Sequence, residues 1–316
     1  MLATMLRSAP ARTRAFALRR GAPFSALATE SFSMPHELQA FVQRLAALPQ
    51  PGRVRLALDE STGIARLTLC NAERKNSLSG PMMAELSDHV ATLEAWTAGA
   101  AVIVEGESGS FCAGADLELV RHTLSTPEQG MLMSELMTCV LGRLRDLPML
   151  SVAAVDGAAM GGGAELATAT DWRVFASDAR LQFVQTLMGL STGWGGGGRL
   201  VQLVGRSRAL ELLLRAPRLD AERAKAVGLA DEIAAPGEAA ADAAMRLCVL
   251  PAIEQAAATE TVRALKTAVA AHSRVGHGTA AETRAFGAVF GSEANHRAVD
   301  AAVARMAARS AKGRRT

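Results

Sequence analysis

The chain has 316 residues, of which 49% are hydrophobic, and it carries a formal net charge of +3. This composition provides for one large folded core and excludes an intrinsically disordered or fibrous protein. The first 33 residues hold five arginines against one acid, so the rest of the chain has a net charge of about −1, and no basic domain for nucleic acid is implied.

Residues 1–33 are rich in Arg, Ala and Ser and nearly free of acid. Apolar residues such as Leu6 and Phe16 lie among the arginines, which is typical of a mitochondrial presequence, so we expect the protein in the mitochondrial matrix. A plain extension on a cytosolic protein is the alternative. No apolar run approaches the roughly 20 residues that a membrane helix needs, so we expect no membrane partner. The four cysteines are scattered without metal-ligand spacing, so no metal site is expected.

Helices and strands are predicted in alternation after this segment. Residues 34–52 form an N-terminal helix and linker, because Leu38, Phe41 and Leu45 have helical spacing ahead of a proline-rich turn. The next predicted elements are a hairpin over 54–69, a helix from Ser79, a strand over 101–104, a helix over 126–147, a strand over 150–155, a helix over 162–170, strands over 172–175 and 181–184, a flexible loop over 193–198 and a helix over 199–214.

Only helices are predicted beyond Pro236, near 238–249, 251–272, 279–290 and 294–309, with breaks at Pro251 and at Gly276-His277-Gly278. The predicted organisation is therefore a presequence over 1–33, the helix and linker over 34–52, an α/β core over 53–235 and a helical region over 236–316.

Two glycine-bearing turns, at 111–117 and 157–166, each follow an apolar strand. Bare backbone N–H groups at strand ends and at the start of a helix can hold a negatively charged oxygen, so the pair predicts a two-donor oxyanion site. Glu165 lies three residues beyond Gly162, where a carboxyl group could act on whatever the Gly162 N–H binds, although capping of its own helix is an alternative role. A dinucleotide site is disfavoured because neither turn has a Gly-x-Gly-x-x-Gly followed by an acid about 20 residues on.

These two turns, with Leu187-Met188-Gly189 and Trp194-Gly195-Gly196, resemble the enoyl-CoA hydratase/isomerase (crotonase) superfamily. The resemblance implies an α/β fold, a crotonase-like spiral of ββα units with a C-terminal helical trimerisation segment, and a homotrimer or hexamer. It implies an acyl-CoA thioester as substrate, with coenzyme A as part of that substrate and no other cofactor. The expected catalytic groups are the N–H groups of Ala115 and Gly162 and the carboxyl of Glu165. The expected substrate-binding residues are Arg74, Lys75, Asn76, Ser77, Ala113, Gly114, Asp116, Leu117, Gly161, Gln185, Leu187 and Trp194.

Gln185 occupies the position at which hydratases of the superfamily carry a second glutamate. Glutamine cannot take up a proton at neutral pH, so hydration by two carboxylates is disfavoured. The segments 78–83, 93–99 and 126–131 resemble the branch of the superfamily that decarboxylates ethylmalonyl-CoA and, less well, methylmalonyl-CoA. The residues Ser191-Thr192-Gly193 differ from those of that branch. The resemblance therefore does not specify the acyl group that the pocket accepts.

The expected activity is therefore decarboxylation of a short-chain alkylmalonyl-CoA, which would clear by-products of acyl-CoA carboxylases. In this hypothesis a protonated Glu165 gives its proton to C2 after CO₂ leaves, since burial and a neighbouring anion both favour the neutral carboxyl. The alternatives are an enoyl-CoA isomerase with a single glutamate and a non-catalytic, RNA-associated homologue; the absence of a basic stripe weighs against the latter.

Overall fold

A computed structural model describes residues 34–273, 283, 286–287 and 289–313. The predicted presequence over 1–33, the predicted break at 276–278 and most of the predicted helix over 279–290 lie outside these residues. The helices are α1 (His36–Ala46), α2 (Gly80–Ala95), α3 (Leu117–His122), α4 (Pro127–Asp146), α5 (Gly162–Ala167), α6 (Gly196–Arg215), α7 (Ala221–Ala226), α8 (Ala240–Ala244), α9 (Leu250–Gln255), α10 (Thr259–Ser273) and α11 (Glu293–Gly313). The strands are β1 (Arg53–Asp59), β2 (Ile64–Cys70), β3 (Ala101–Gly106), β4 (Leu150–Val155), β5 (Ala158–Met160), β6 (Trp172–Phe175), β7 (Arg180–Gln182), β8 (Leu219–Asp220) and β9 (Glu232–Ile233).

The main sheet has the strand order β1-β2-β3-β4-β6-β9. β1 and β2 form the predicted antiparallel hairpin, with Val54 opposite Leu69, and the remaining pairs are parallel. All six residues of β4 are buried. A parallel strand covered on both faces reads as a continuous apolar run, which is why the sequence predicts this strand well.

A second sheet of three strands, in the order β5-β7-β8, lies beside the candidate site. β5 runs parallel to β7, and β8 pairs antiparallel with β7. An isolated bridge between Cys112 and Ala159 connects the first glycine turn to β5. The short sheet therefore sets where the two glycine turns meet.

Several predicted boundaries differ from those in the structure. The predicted helix over 162–170 ends at Ala167, and the strand predicted over 181–184 covers 180–182. The two-residue strands β8 and β9 are too short to show a periodic pattern. Pro251 lies at the start of α9, where proline is tolerated, and the chain leaves the helix only at 256–258.

Among the described residues, none of the helices is both long and apolar enough to cross a bilayer.

Asp156 provides a test of how the sheet is joined to the helical region. Its Oδ1 accepts the N–H of Ala240, the first residue of α8, at 3.0 Å, and burial raises the pKa of this carboxyl above its usual value. A raised carboxyl pKa contributes stability below the pKa of the unfolded chain, and that contribution is lost as the pH rises through the folded-state value. We expect Asp156→Asn, which keeps the acceptor oxygen without the charge, to raise the Tm at pH 7.5.

The gain should disappear as the pH falls towards about 4, where the parent carboxyl becomes protonated. Thermal unfolding followed by circular dichroism between pH 4 and 8 measures this. Glu254→Gln, on an exposed position of α9, is the control and should leave the Tm unchanged. A gain of the same size at every pH would contradict the assignment.

Candidate active site

The first glycine turn is held between β5 and the segment before α2. Leu78 donates its N–H to the Gly114 carbonyl at 2.8 Å, and the Cys112 N–H donates to the Ala158 carbonyl at 3.0 Å. A Cβ on Gly163 would lie 2.0 Å from the Cys112 carbonyl oxygen, so only glycine permits this approach of the two turns. The turns that the sequence places far apart are therefore packed backbone against backbone.

Two backbone N–H groups lie close together at this junction. Gly114 has a φ of +94°, and a Cβ built on it would lie 3.1 Å from the Gly162 nitrogen, so the peptide leading to Ala115 is next to Gly162. Neither the Ala115 N–H nor the Gly162 N–H donates to an acceptor among the described residues. Both residues are half-buried. Two half-buried donors without an acceptor among the described residues are suited to an anionic oxygen.

Asp116 fixes the end of the first glycine turn, which carries Ala115. Its Oδ1 accepts the N–H groups of Glu118 and Leu119 at 2.8 and 3.2 Å and so caps α3, while its Oδ2 accepts Arg74 at 2.8 Å. The Asp116 carboxylate raises the pKa of the Arg74 guanidinium above its usual value. Asp116 is 2% exposed, so its carboxylate holds the backbone of the turn and is closed to solvent.

Residues 74–77 are expected to contact the substrate. In the structure, however, most of their side chains form hydrogen bonds to other residues of the protein. Asn76 is fully buried, its Nδ2 donates to the Glu107 and Ser110 carbonyls, and Ser77 Oγ contacts Asp116. Lys75 and Asn76 both have left-handed backbone, with φ of 52° and 54°. Lys75 alone of the four has an exposed side chain, so contacts from the others to a ligand would run mainly through the backbone.

Cys112 lies within the first turn but is not a nucleophile. Burial raises the pKa of its thiol to about 12, and its sulfur accepts the Gly114 N–H at 3.4 Å. The thiolate, which is the reactive form, is therefore absent at neutral pH.

The Glu165 carboxylate is enclosed by N–H donors, which we call the carboxylate collar. Its Oε1 accepts Gln185 Nε2 at 2.7 Å and the Gly193 N–H at 3.4 Å, and its Oε2 accepts the N–H groups of Trp194 and Gly196 at 2.9 and 2.8 Å. Glu165 is 2% exposed. Both oxygens act as acceptors in these contacts, and N–H donors stabilise the charged form of a carboxyl group. The protonated Glu165 of the sequence analysis stays a prediction.

The loop predicted to be flexible over 193–198 is instead buried over 193–196 and bonded to Glu165. α6 begins at Gly196, so the Glu165 carboxylate binds the N-terminus of α6 and not only that of its own helix. The Gly193 carbonyl accepts Ser134 Oγ at 2.5 Å and Thr138 Oγ1 at 3.3 Å from α4. A run of glycines that looks flexible in sequence is thus fixed by charge and by hydrogen bonds.

Trp194 forms a wall of the candidate site. A Cβ on Gly162 would lie 2.4 Å from the indole ring, so the ring is in contact with this glycine, and Trp194 is 3% exposed. Leu187, also expected at the site, is 59% exposed. Gln185 is 7% exposed, and its Oε1 has no donor within the part of the chain that the structure describes.

Arg199 is a residue of the site that the sequence analysis missed. It is 1% exposed, its Nη2 donates to the carbonyl oxygens of Glu165 and Trp194 at 3.0 and 2.6 Å, and its Nε donates to Thr168 Oγ1 at 3.0 Å. Arg199 therefore ties the backbone of α5 to the start of α6. An arginine within an otherwise glycine-rich and apolar helix start is the signal that could have found it.

Residues 59–305 match the family model described as enoyl-CoA hydratase/isomerase, and the chain belongs to this family. Ethylmalonyl-CoA decarboxylase from Danio rerio is 43% identical over 258 residues, which cover 80% of this chain and 84% of that protein. The protein of the same name from Xenopus laevis is 37% identical over 263 residues, or 83% and 87% of the two chains.

Solved structures agree on the fold. An enoyl-CoA hydratase/isomerase from Mycobacterium paratuberculosis superposes with a TM-score of 0.71 at 20% identity, over 80% of this chain and 99% of that one. A Thermobifida fusca protein solved in complex with acetoacetyl-CoA has a TM-score of 0.62 at 28% identity, over 80% and 95% of the two chains. The predicted crotonase fold and family are confirmed; the trimer or hexamer stays a prediction.

We expect Glu165→Gln to lower the free energy of unfolding by about 2–4 kcal/mol, because the amide nitrogen would face N–H donors that then lose their acceptor. Urea unfolding measures the change. Glu135→Gln, on an exposed position of α4, is the control and should stay within about 0.5 kcal/mol of the parent. Equal stability of the two variants would show that the collar contributes nothing to folding.

Proposed function

We propose that this chain removes CO₂ from a short-chain 2-alkylmalonyl-CoA, ethylmalonyl-CoA in preference to methylmalonyl-CoA. The observation that carries the proposal is a single carboxylate, Glu165, beside two unpaired N–H donors, with an amide rather than a second carboxylate at Gln185. The relatives named ethylmalonyl-CoA decarboxylase, at 43% and 37% identity over most of the chain, support the same choice.

In the proposed reaction, negative charge develops on the thioester oxygen, which the two backbone N–H donors bind. The bond between C2 and the substrate carboxylate breaks, CO₂ leaves, and the electron pair enters the thioester carbonyl to give an enolate. The N–H groups of Ala115 and Gly162 bind the enolate oxygen as its negative charge develops. Loss of one such donor typically costs on the order of a hundredfold or more in rate.

Glu165 is the group proposed to protonate C2. α5 presents Gly162 and Glu165 on one face, because residues three apart in a helix are neighbours. The collar favours the ionised form in the free protein, and the arrival of a substrate carboxylate beside Glu165 favours uptake of a proton. That proton then passes to C2 after CO₂ departs, so charge and protons balance over the cycle.

Gln185 argues against hydration. Adding water to an enoyl thioester requires a group that takes a proton from the attacking water, and an amide cannot do so. Gln185 Nε2 instead donates to the carboxylate of Glu165. The amide therefore orients the proposed acid without supplying a second base.

The proposal includes coenzyme A as part of the substrate, with Lys75 and the backbone of 74–77 near its nucleotide. Clearance of by-products made by acyl-CoA carboxylases is the proposed role. The mitochondrial matrix is the proposed location, with the cytosol as the alternative, and a homotrimer or hexamer is the proposed assembly. These four points rest on the resemblance and on residues 1–33.

Incubation of the purified protein with ethylmalonyl-CoA, methylmalonyl-CoA, a 3-enoyl-CoA and a 2-enoyl-CoA separates the candidate activities. We expect CO₂ release with butyryl-CoA as the faster product and propionyl-CoA as the slower one. Double-bond migration in the 3-enoyl-CoA, without CO₂ release, would replace the proposal with an isomerase. Inactivity on all four thioesters would overturn every enzyme assignment made for this chain.

Gln185→Glu tests why one carboxylate suffices. A second carboxylate at the 2.7 Å contact would repel Glu165, so the pair would share one proton. We expect decarboxylation to fall about tenfold or more while hydration of the 2-enoyl-CoA becomes measurable. Gln185→Met, of similar size and without charge, is the matched control and should give no hydration. Unchanged decarboxylation in Gln185→Glu would contradict the role given to the amide.

A further inference from the structure

Two hydroxyl groups of α4 donate to one carbonyl oxygen of the loop before α6. Ser134 Oγ lies 2.5 Å from the Gly193 carbonyl oxygen, and Thr138 Oγ1 lies 3.3 Å from the same oxygen. The two residues are four apart and therefore lie on one face of the helix. A serine or threonine within a helix commonly bonds the carbonyl of its own preceding turn. Here both hydroxyls instead bind a segment that lies 55 or more residues further along the chain.

The carbonyl that accepts these hydroxyls belongs to the same peptide group as the Trp194 N–H. That N–H donates to Glu165 Oε2 at 2.9 Å. Conjugation joins the two ends of a peptide group, so hydrogen bonds accepted by its oxygen polarise its N–H and strengthen the bond that this N–H donates. We call the chain of hydrogen bonds from Ser134 and Thr138 through this peptide group to Glu165 the hydroxyl relay. Ser134 is fully buried, so its hydroxyl is closed to bulk water.

The peptide group of the relay is also held by packing. A Cβ on Gly193 would lie 2.5 Å from the Phe286 ring, and Phe286 is 4% exposed. The ring therefore contacts Gly193 directly. The Gly193 N–H itself donates to Glu165 Oε1 at 3.4 Å. A variant that loses one hydroxyl keeps these contacts and the other hydroxyl bond, so the effect of the loss on the relay can be measured in a folded protein.

Removal of a hydroxyl leaves the charges around Glu165 unchanged. Arg199, from α6, is a charged side chain in direct contact with Glu165, since its Nη2 donates to the Glu165 carbonyl at 3.0 Å. Gln185 faces the carboxylate with a neutral amide, and α5 itself carries no second charged residue. α4 contributes the neutral hydroxyls of the relay. A change in the protonation of Glu165 after loss of a hydroxyl would therefore be due to hydrogen bonding and not to a lost charge.

We propose that Ser134 and Thr138 are positioning residues of the proposed decarboxylation. Through the hydroxyl relay they strengthen the Trp194 N–H as a donor to Glu165, and they thereby set the pH at which Glu165 takes up the proton that it gives to C2. This inference rests on the proposed function, because it concerns the same carboxyl group. N–H donors stabilise the ionised form, whereas a substrate carboxylate beside Glu165 favours the neutral form. The relay adjusts this balance, which has to lie near the working pH for a group that takes up and releases a proton in each cycle.

The strength of the Trp194 bond can be followed directly, because the chain has three tryptophans. Tryptophan labelled with ¹⁵N gives one backbone amide signal each for Trp96, Trp172 and Trp194, and Trp194→Phe assigns the last. We expect Ser134→Ala to move the Trp194 amide proton upfield, as a weaker hydrogen bond does. Thr138→Val should move it less, because the Thr138 bond is longer. The signals of Trp96 and Trp172 should stay in place.

Proton uptake is followed in the same samples. Titration of the Trp194 amide signal against pH reports the charge of the carboxylate that it faces. We expect its midpoint to rise by about half a pH unit in Ser134→Ala, because loss of a donor disfavours the ionised form. The pH profile of kcat/KM for CO₂ release from ethylmalonyl-CoA should shift in the same direction. Thr138→Ser retains a hydroxyl and should keep the parent's signal and profile. Ser87→Ala removes a buried hydroxyl of α2 and is the control, which should also match the parent.

A Trp194 amide signal that is unchanged in both Ser134→Ala and Thr138→Val would overturn the relay. A shifted signal with the parent's titration midpoint, or with no titration, would overturn its role in proton uptake. Inactivity of the parent on ethylmalonyl-CoA would overturn the proposed function instead. The NMR signals need no substrate, so they would still decide whether the relay exists.

Discussion

The Glu165 carboxylate and its collar of N–H donors are the interaction on which the rest of the site depends. One buried negative charge binds the start of α6 through Trp194 and Gly196, and it receives the amide of Gln185. A buried carboxylate is stable only when its lone pairs are satisfied, so the loop must adopt this path once Glu165 is inside. Trp194 is carried with the loop, and its ring is thereby set against Gly162.

The same carboxylate therefore serves folding and the proposed chemistry. Arg199 strengthens the arrangement from the opposite side by holding the carbonyl oxygens of Glu165 and Trp194. Asp116 does the equivalent work at the first turn, where it joins Arg74 to the N-terminus of α3. Each of the two turns thus has a buried carboxylate close to it, Asp116 at the first and Glu165 at the second, and the hydrogen bonds of these carboxylates hold the backbone of the turns in place.

Patterns local in sequence predicted much of this molecule. The apolar run of β4, the alternating hairpin and the two glycine turns each carry their signal within a few residues. The triad of Ala115, Gly162 and Glu165 also follows from the order of strand, turn and helix, and the structure brings the two turns together. The family resemblance added the position of Gln185.

The rest depends on partners distant in the chain. The glycines of the loop before α6 are typical of a flexible segment. The residue that holds the loop, Glu165, lies some 30 residues earlier, so the local sequence does not reveal the contact. Arg199 was missed for the same reason, because two of its acceptors, on Thr168 and Glu165, lie more than 30 residues earlier in the chain. The strands β8 and β9 have two residues each, so pairing with β7 and β6 rather than any periodicity defines them.

The collar also couples a proton to the position of a helix. When a carboxylate that accepts two N–H groups on each oxygen gains a proton, the protonated oxygen becomes a donor and loses one of its acceptor sites. One of the contacts from Gln185, Gly193, Trp194 or Gly196 then has to open. Because two of these donors belong to Trp194 and Gly196, the charge of Glu165 determines how firmly the start of α6 and the indole are held.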